Sequence, residues 1–135
     1  MPSELDRTVA MERKALKELV VRFTECFNAN DLEGVLALMT DDAVYEEFTG
    51  VISRGKAAIR AAFVPQFRGD FGKMRFETED LFVDATTGKA LIRWVCHLET
   101  KRGAAGWRGL DILHVENGLV KQKLTYAKAK VPLLE

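Results

Sequence analysis

The chain predicts an α+β domain in which helices come first and an antiparallel β-meander follows. Three observations carry this expectation. Apolar residues recur at helical spacing up to about residue 28, an alanine-rich segment follows Gly55, and the second half consists of β-branched and aromatic runs broken by Thr-Thr-Gly, Arg-Gly-Ala-Ala-Gly and Asn117-Gly118.

Ser3 can cap a helix through its hydroxyl, and Leu16, Val20, Phe23 and Phe27 then fall on one helical face, which predicts a first helix from about residue 4 to 28. Asn30 with Glu33 reads as a capping box for a short second helix carrying Leu32, Val35, Leu36 and Met39. Residues 43–49 have strand composition and Gly50 closes them. After Gly55, the alanines and the Ile59/Phe63 pair favour a third helix that should stop or kink at Pro65. Four strands are expected at residues 73–84, 89–100, 107–116 and 119–129. Asn-Gly tolerates the positive φ of a type I′ turn, so the last hairpin should set Glu116 opposite Leu119.

At 135 residues, 47% hydrophobic and 30% charged, the chain has the length and balance of a single domain over residues 1–135. Twenty basic and twenty acidic residues leave a net charge of zero, so no long-range field gathers nucleic acid or an anionic membrane, and neither is expected as a partner. The N-terminus lacks a secretory pattern and no run reaches a membrane span, which predicts a cytoplasmic protein. Cys26 and Cys96 have neither zinc-knuckle nor disulfide-framework spacing and are read as reduced core thiols.

Strand alternation gives the candidate site. Trp107, Gly109, Asp111, Leu113 and Val115 share one face, and counting back from the Asn-Gly turn sets Asp111 opposite Leu124 and Gly109 opposite Tyr126. Val120, Leu124 and Tyr126 then join the Asp111 face, while Lys121, Lys123 and Thr125 turn outward. A loop centred on residues 102–105 sets Cys96 opposite Asp111, bringing Ile92, Trp94, Cys96 and Leu98 to the same side. Over the helices these side chains form an apolar hollow whose polar points are Glu47, Asp111, Tyr126 and Tyr45, the composition of a small-molecule site. Phe23, Phe63, Trp94 and Trp107 are its expected aromatic walls. An ionised carboxylate in such a place needs a partner or a raised pKa, which marks Glu47 and Asp111 as candidate catalytic groups.

The stretch from Arg22-Phe23 through Asn30-Asp31-Leu32-Glu33 to Asp41-Asp42-Ala43-Val44-Tyr45-Glu46-Glu47, with the later Asp111-Ile-Leu-His-Val-Glu-Asn-Gly, resembles the SnoaL-like branch of the nuclear transport factor 2 superfamily, and within it the ketosteroid isomerases. The resemblance implies a cone-shaped α+β barrel, cystatin-like in type, with three N-terminal helices on a curved, mainly antiparallel sheet. It puts Glu47 at the position of the carboxylate base and Asp111 at that of the neutral acid that donates a hydrogen bond to the developing oxyanion. Phe23 stands where the isomerases hold the oxyanion-hole tyrosine, so one donor is missing; Tyr126 or Tyr45 would have to replace it.

The expected function is acid/base chemistry on a small apolar carbonyl compound, of isomerase or polyketide-cyclase type, with no cofactor or metal implied. The alternative from another class is a non-catalytic ligand-binding or dimeric interaction module. An epoxide hydrolase, a lesser alternative, would need Arg93 to point inward. Leu110, Ile112 and His114 with Val95 and His97 form the opposite sheet face, whose apolar character predicts a homodimer through that surface.

Overall fold

The computed structural model describes residues 2–128. Helix α1 spans Glu4–Asn28 and opens with a reciprocal capping box, in which the Asp6 N–H donates to the Ser3 hydroxyl at 3.0 Å and the Ser3 N–H donates to the Asp6 carboxylate at 3.1 Å. It buries Leu16, Leu19, Val20 and Phe23. Helix α2 is Leu32–Ala37, followed by strand β1 (Met39–Glu46), a short strand β2 (Ile52–Arg54) and helix α3 (Lys56–Arg68). Strands β3 (Lys73–Asp84), β4 (Lys89–Thr100), β5 (Gly103–Glu116) and β6 (Leu119–Ala127) complete the chain.

The strands form one six-stranded sheet in the order β2-β1-β6-β5-β4-β3. All neighbours are antiparallel except β1 and β6, which run parallel because the helical half of the chain returns β1 to the edge of the meander. The sheet is curved and does not close, and its concave face carries the helices: α1 packs on β3 and β4, α3 on β1 and β2. Asn28, the last residue of α1, ties helix to sheet. Its amide accepts from the Phe76 N–H at 2.7 Å and donates to the Phe76 carbonyl at 2.9 Å, taking the place of a neighbouring strand along the outer edge of β3.

Local chemistry moves several expected boundaries. Asp31, rather than Asn30, caps α2 by accepting from the Gly34 N–H at 2.9 Å; Asn30 is left-handed (φ 56°) and its amide donates to the Phe67 carbonyl. Helix α3 runs through Pro65 to Arg68 instead of stopping there. The bond Pro65 cannot donate would have gone to Ala61, an exposed residue near the helix surface. Strand β1 starts at Met39 and ends one residue before Glu47, and the turn through Gly50 returns the chain as β2, a strand too short for a composition signal. The β4–β5 turn is tight, pairing Thr100 with Gly103, so Ile92 and not Cys96 lies across from Asp111. That shift is an even number of residues, and the expected inward face of β4 survives it.

The β5–β6 hairpin behaves differently. Glu116 pairs with Leu119 as expected, but Val115 pairs with Val120 and His114 with Gln122, leaving Lys121 as an extra residue on β6. The bulge is solvated: the Lys121 ammonium lies 2.8 Å from Glu116 and 4.0 Å from Asp42. Beyond it the register is displaced by one, and Asp111 faces Thr125 while Gly109 faces Ala127. Lys123 and Thr125 therefore turn inward, and Leu124 and Tyr126 turn outward.

Candidate functional site

The helices and the concave sheet face enclose an open cavity of about 590 Å³. Of the side chains expected to line it, Phe23, Tyr45, Glu47, Phe63, Trp94, Trp107 and Asp111 do so. Leu124 and Tyr126 do not. The bulge puts both on the outer face, where Tyr126 is 50% exposed and borders a second groove with Arg93 and Arg108. Arg93 is exposed on that face, away from the cavity. In place of Leu124 and Tyr126, Lys123 and Thr125 enter the site.

Asp111 is the centre of the polar floor. Although only 8% exposed, it accepts three hydrogen bonds: from Trp94 Nε1 to Oδ2 at 3.1 Å, from Lys123 Nζ to Oδ1 at 3.0 Å, and from the Thr125 hydroxyl to Oδ1 at 2.5 Å. Gly109 makes the first possible. It pairs with Trp94 across the strands, and a Cβ there would come within 2.5 Å of the indole ring, so the missing side chain lets the indole lie across β5 toward Asp111. Every partner of Asp111 is a donor, one of them an ammonium. The side chain is thus held as an acceptor, with the Lys123 ammonium beside it.

Lys123 is 6% exposed. Besides Asp111, its Nζ donates to the Thr125 hydroxyl at 2.8 Å, which leaves one of the three ammonium N–H bonds uncommitted among the described residues. The Tyr45 ring centroid lies 4.7 Å from Nζ and those of Phe27 and Phe63 at 5.5 and 5.9 Å, so aromatic faces surround the cation. Burial alone would lower its pKa, but the coulombic effects of Asp111 and of Tyr45 and the hydrogen bond to Asp111 outweigh it. The pKa is raised and the group stays an ammonium. Burial also pushes the Tyr45 phenol up, against the opposing pull of Lys123.

Glu47 stands one residue beyond β1, where its N–H donates to Val51 at 2.9 Å and its carbonyl accepts from Gly50 at 2.8 Å. These bonds fix the backbone of the turn and leave the side chain free to face the cavity. Among the described residues its carboxylate has no hydrogen-bond or ion-pair partner. Its charge still reaches the floor, where it raises the pKa of both Tyr45 and Lys123. The cavity therefore holds a carboxylate fixed by three donors, an ammonium and a second, unengaged carboxylate, inside aromatic walls that include Phe23 with Phe27 edge-on at 5.2 Å. Among the described residues, no three His, Cys, Asp or Glu side chains converge as a metal site, and no helix is long and apolar enough to cross a membrane.

Lys123 was discoverable. A buried ionised Asp111 requires a counter-charge on a neighbouring strand, and Lys123 is the residue that supplies one once β6 slips by a single position.

Two expectations follow. Lys123→Met leaves Asp111 buried without its cation and should cost about 3–5 kcal/mol in urea unfolding, whereas adding Asp111→Leu should recover most of it; equal losses in the single and double variants would refute the pairing. The second concerns alkali. The Cys96 thiol, held up at about 11 by burial, the Tyr45 phenol and Lys123 all keep their protons more firmly folded than unfolded. Their stabilisation is complete below the unfolded pKa values and drains as pH rises toward the folded ones, so the melting temperature should hold near neutrality and fall from about pH 9 upward, less steeply in Cys96→Ala.

The geometry agrees with the comparisons. Residues 20–123 match the SnoaL-like domain. No curated protein matches the sequence. A candidate polyketide cyclase from Xanthomonas campestris pv. campestris superposes with a TM-score of 0.75 at 20% identity, covering 87% of this chain and 93% of that one. An NTF2-like protein of unknown function from Mesorhizobium loti gives 0.73 at 21% identity, over 96% and 98% of the two chains. PrhC from Penicillium brasilianum NBRC 6234 gives 0.76 at 23%, over 87% and 82%. At these identities the structures share the fold alone, while the family match spans α1 to β6 and includes Glu47, Asp111 and Lys123: the chain belongs to the SnoaL-like domain family.

Proposed function

We propose that the protein is an acid/base enzyme acting on a small apolar carbonyl compound, of isomerase or cyclase type. The observation that carries this reading is a free carboxylate, Glu47, and a buried ammonium, Lys123, on one apolar cavity. Glu47 removes a proton from the carbon next to the carbonyl. The electron pair moves onto the carbonyl oxygen, which the uncommitted N–H of Lys123 receives. The proton on Glu47 then returns to another carbon of the same framework, giving isomerisation, or the enolate carbon attacks a second carbonyl and closes a ring, with the proton passing to the new alkoxide. Asp111 and Thr125 aim Lys123 and keep it charged.

In this scheme Lys123 takes the oxyanion role that the resemblance implied for Asp111 and for a tyrosine at the position of Phe23. Each proton-transfer group of this kind contributes about 10²–10⁴ in rate, and an oxyanion donor about 10²–10³. The candidate polyketide cyclase among the structural relatives is consistent with it.

The test is deuterium exchange next to the carbonyl of 2-tetralone in D2O, followed by NMR. The protein should accelerate exchange over buffer; Glu47→Gln should remove about 10²–10⁴ of that acceleration while the circular dichroism spectrum stays unchanged. Tetralone that binds without faster exchange would instead mark a non-catalytic binding module.

A homodimer through the outer sheet face belongs to the same proposal. Phe82, Leu91, Ile112 and Leu124 lie in one row across β3, β4, β5 and β6 on the face without helices, and Phe82 is 57% exposed. A second copy related by a twofold axis would cover it. Light scattering should give the dimer mass for the native chain and the monomer mass for Ile112→Glu; a monomeric native chain would exclude the dimer.

A further inference from the structure

The mouth of the cavity is aromatic in a way the floor chemistry does not require. Among the residues lining it, Phe48 is 60% exposed and Phe71 is 56% exposed, so both rings border the cavity while standing largely in water. They come from separate turns. Phe48 follows Glu47 in the β1–β2 connection, closed by the Gly50 N–H on the Glu47 carbonyl, with Gly50 at φ 90°. Phe71 lies between Gly69 (φ 87°) and Gly72 (φ 108°) in the α3–β3 connection.

Both turns are braced. Arg68 grips Asp70 through two bonds of 2.9 and 2.6 Å, and Gly72 sits so close to β4 that a Cβ would fall 2.2 Å from the Glu99 carbonyl oxygen. Their backbone bonds and the close approach of Gly72 thus hold the two rings at the opening. A lone exposed apolar side chain is ordinary on a protein surface, but two on independent braced turns at one cavity mouth mark a place where something apolar is to be covered.

Resting on the reading of Lys123 as the oxygen site, we infer that Phe48 and Phe71 grip the far end of the ligand, and that the substrate class is an elongated, apolar carbonyl compound with its oxygen at one end only. The oxygen end lies at the floor on Lys123 and the other end passes out between the two rings. Phe48 and Phe71 are specificity residues in this assignment, not catalytic ones.

Binding tests this without a turnover assay. The chain's two tryptophans, Trp94 and Trp107, both line the cavity, so intrinsic fluorescence reports its occupancy. The probes are acetophenone and 4-acetylbiphenyl, identical at the carbonyl end and different in length. The native protein should bind the biphenyl at least about tenfold more tightly, from the apolar area it adds. The double variant Phe48→Ala/Phe71→Ala should lose about tenfold for the biphenyl and less than about twofold for acetophenone. Both sites are exposed, so the variant should fold, which its unchanged melting curve would verify. Equal weakening of both probes, unchanged affinity for both, or a biphenyl that the native protein does not prefer would overturn the inference. Length selection in a protein that leaves tetralone exchange at the buffer rate keeps the mouth assignment and removes the enzyme reading; exchange without length selection does the reverse.

Discussion

A carboxylate withdrawn from water is tolerable only where its oxygens meet donors, and at the cavity floor this requirement binds together three strands. Asp111 on β5 draws the indole of Trp94 from β4 and the ammonium and hydroxyl of Lys123 and Thr125 from β6. Each of these contacts needs one particular register. The Trp94 contact needs an empty position at Gly109, and the Lys123 contact needs the bulge at Lys121. A buried ion pair of this kind is weak evidence for stability, since desolvation offsets most of the attraction. Its effect is on specificity: without the bulge, Lys123 would face outward and Asp111 would be left with Leu124.

The interaction also bears on the proposed function. Three donors hold Asp111 as an acceptor. Lys123 is held by two acceptors and retains one N–H. In the proposed function the oxyanion role therefore goes to Lys123, and that proposal needs no tyrosine at the position of Phe23. Phe23 becomes what its chemistry suits it for, a wall, 3% exposed and packed against Phe27. The aromatic faces around Nζ serve the same end, giving the cation favourable surroundings without adding acceptors that would compete for its free N–H.

Much of this was legible in the residues, and the exceptions have physical causes. Helical spacing from Leu16 to Phe27 and the β-runs after Gly72 are repeated, local signals, and the four meander strands fall within a few residues of their expected bounds. The inward face of β4 survived a four-residue error in its pairing because side chains alternate with period two. The single-residue error at Lys121 did not survive, and it exchanged Leu124 and Tyr126 for Lys123 and Thr125. Apolarity misled there: Leu124 and Tyr126 look like wall residues and Lys123 like solvated edge. The correcting signal was electrostatic and non-local, the need of Asp111 for a cation, which strand composition does not report. Phe48 and Phe71 escaped notice for another reason, since exposure in a turn is set by tertiary placement.

Charge balance bears on the proposed chemistry. Asp111 and Lys123 neutralise one another, so the cavity's net charge is that of Glu47, one negative unit. A neutral carbonyl compound enters without changing that sum. In the proposed mechanism, when Glu47 takes its proton the charge leaves its carboxylate and reappears on the oxygen beside Lys123, so the cavity again carries one negative unit, now next to its cation. On that proposal the chemistry conserves the cavity's charge at the floor, and apolar contact with Phe48 and Phe71 is what the mouth offers a substrate.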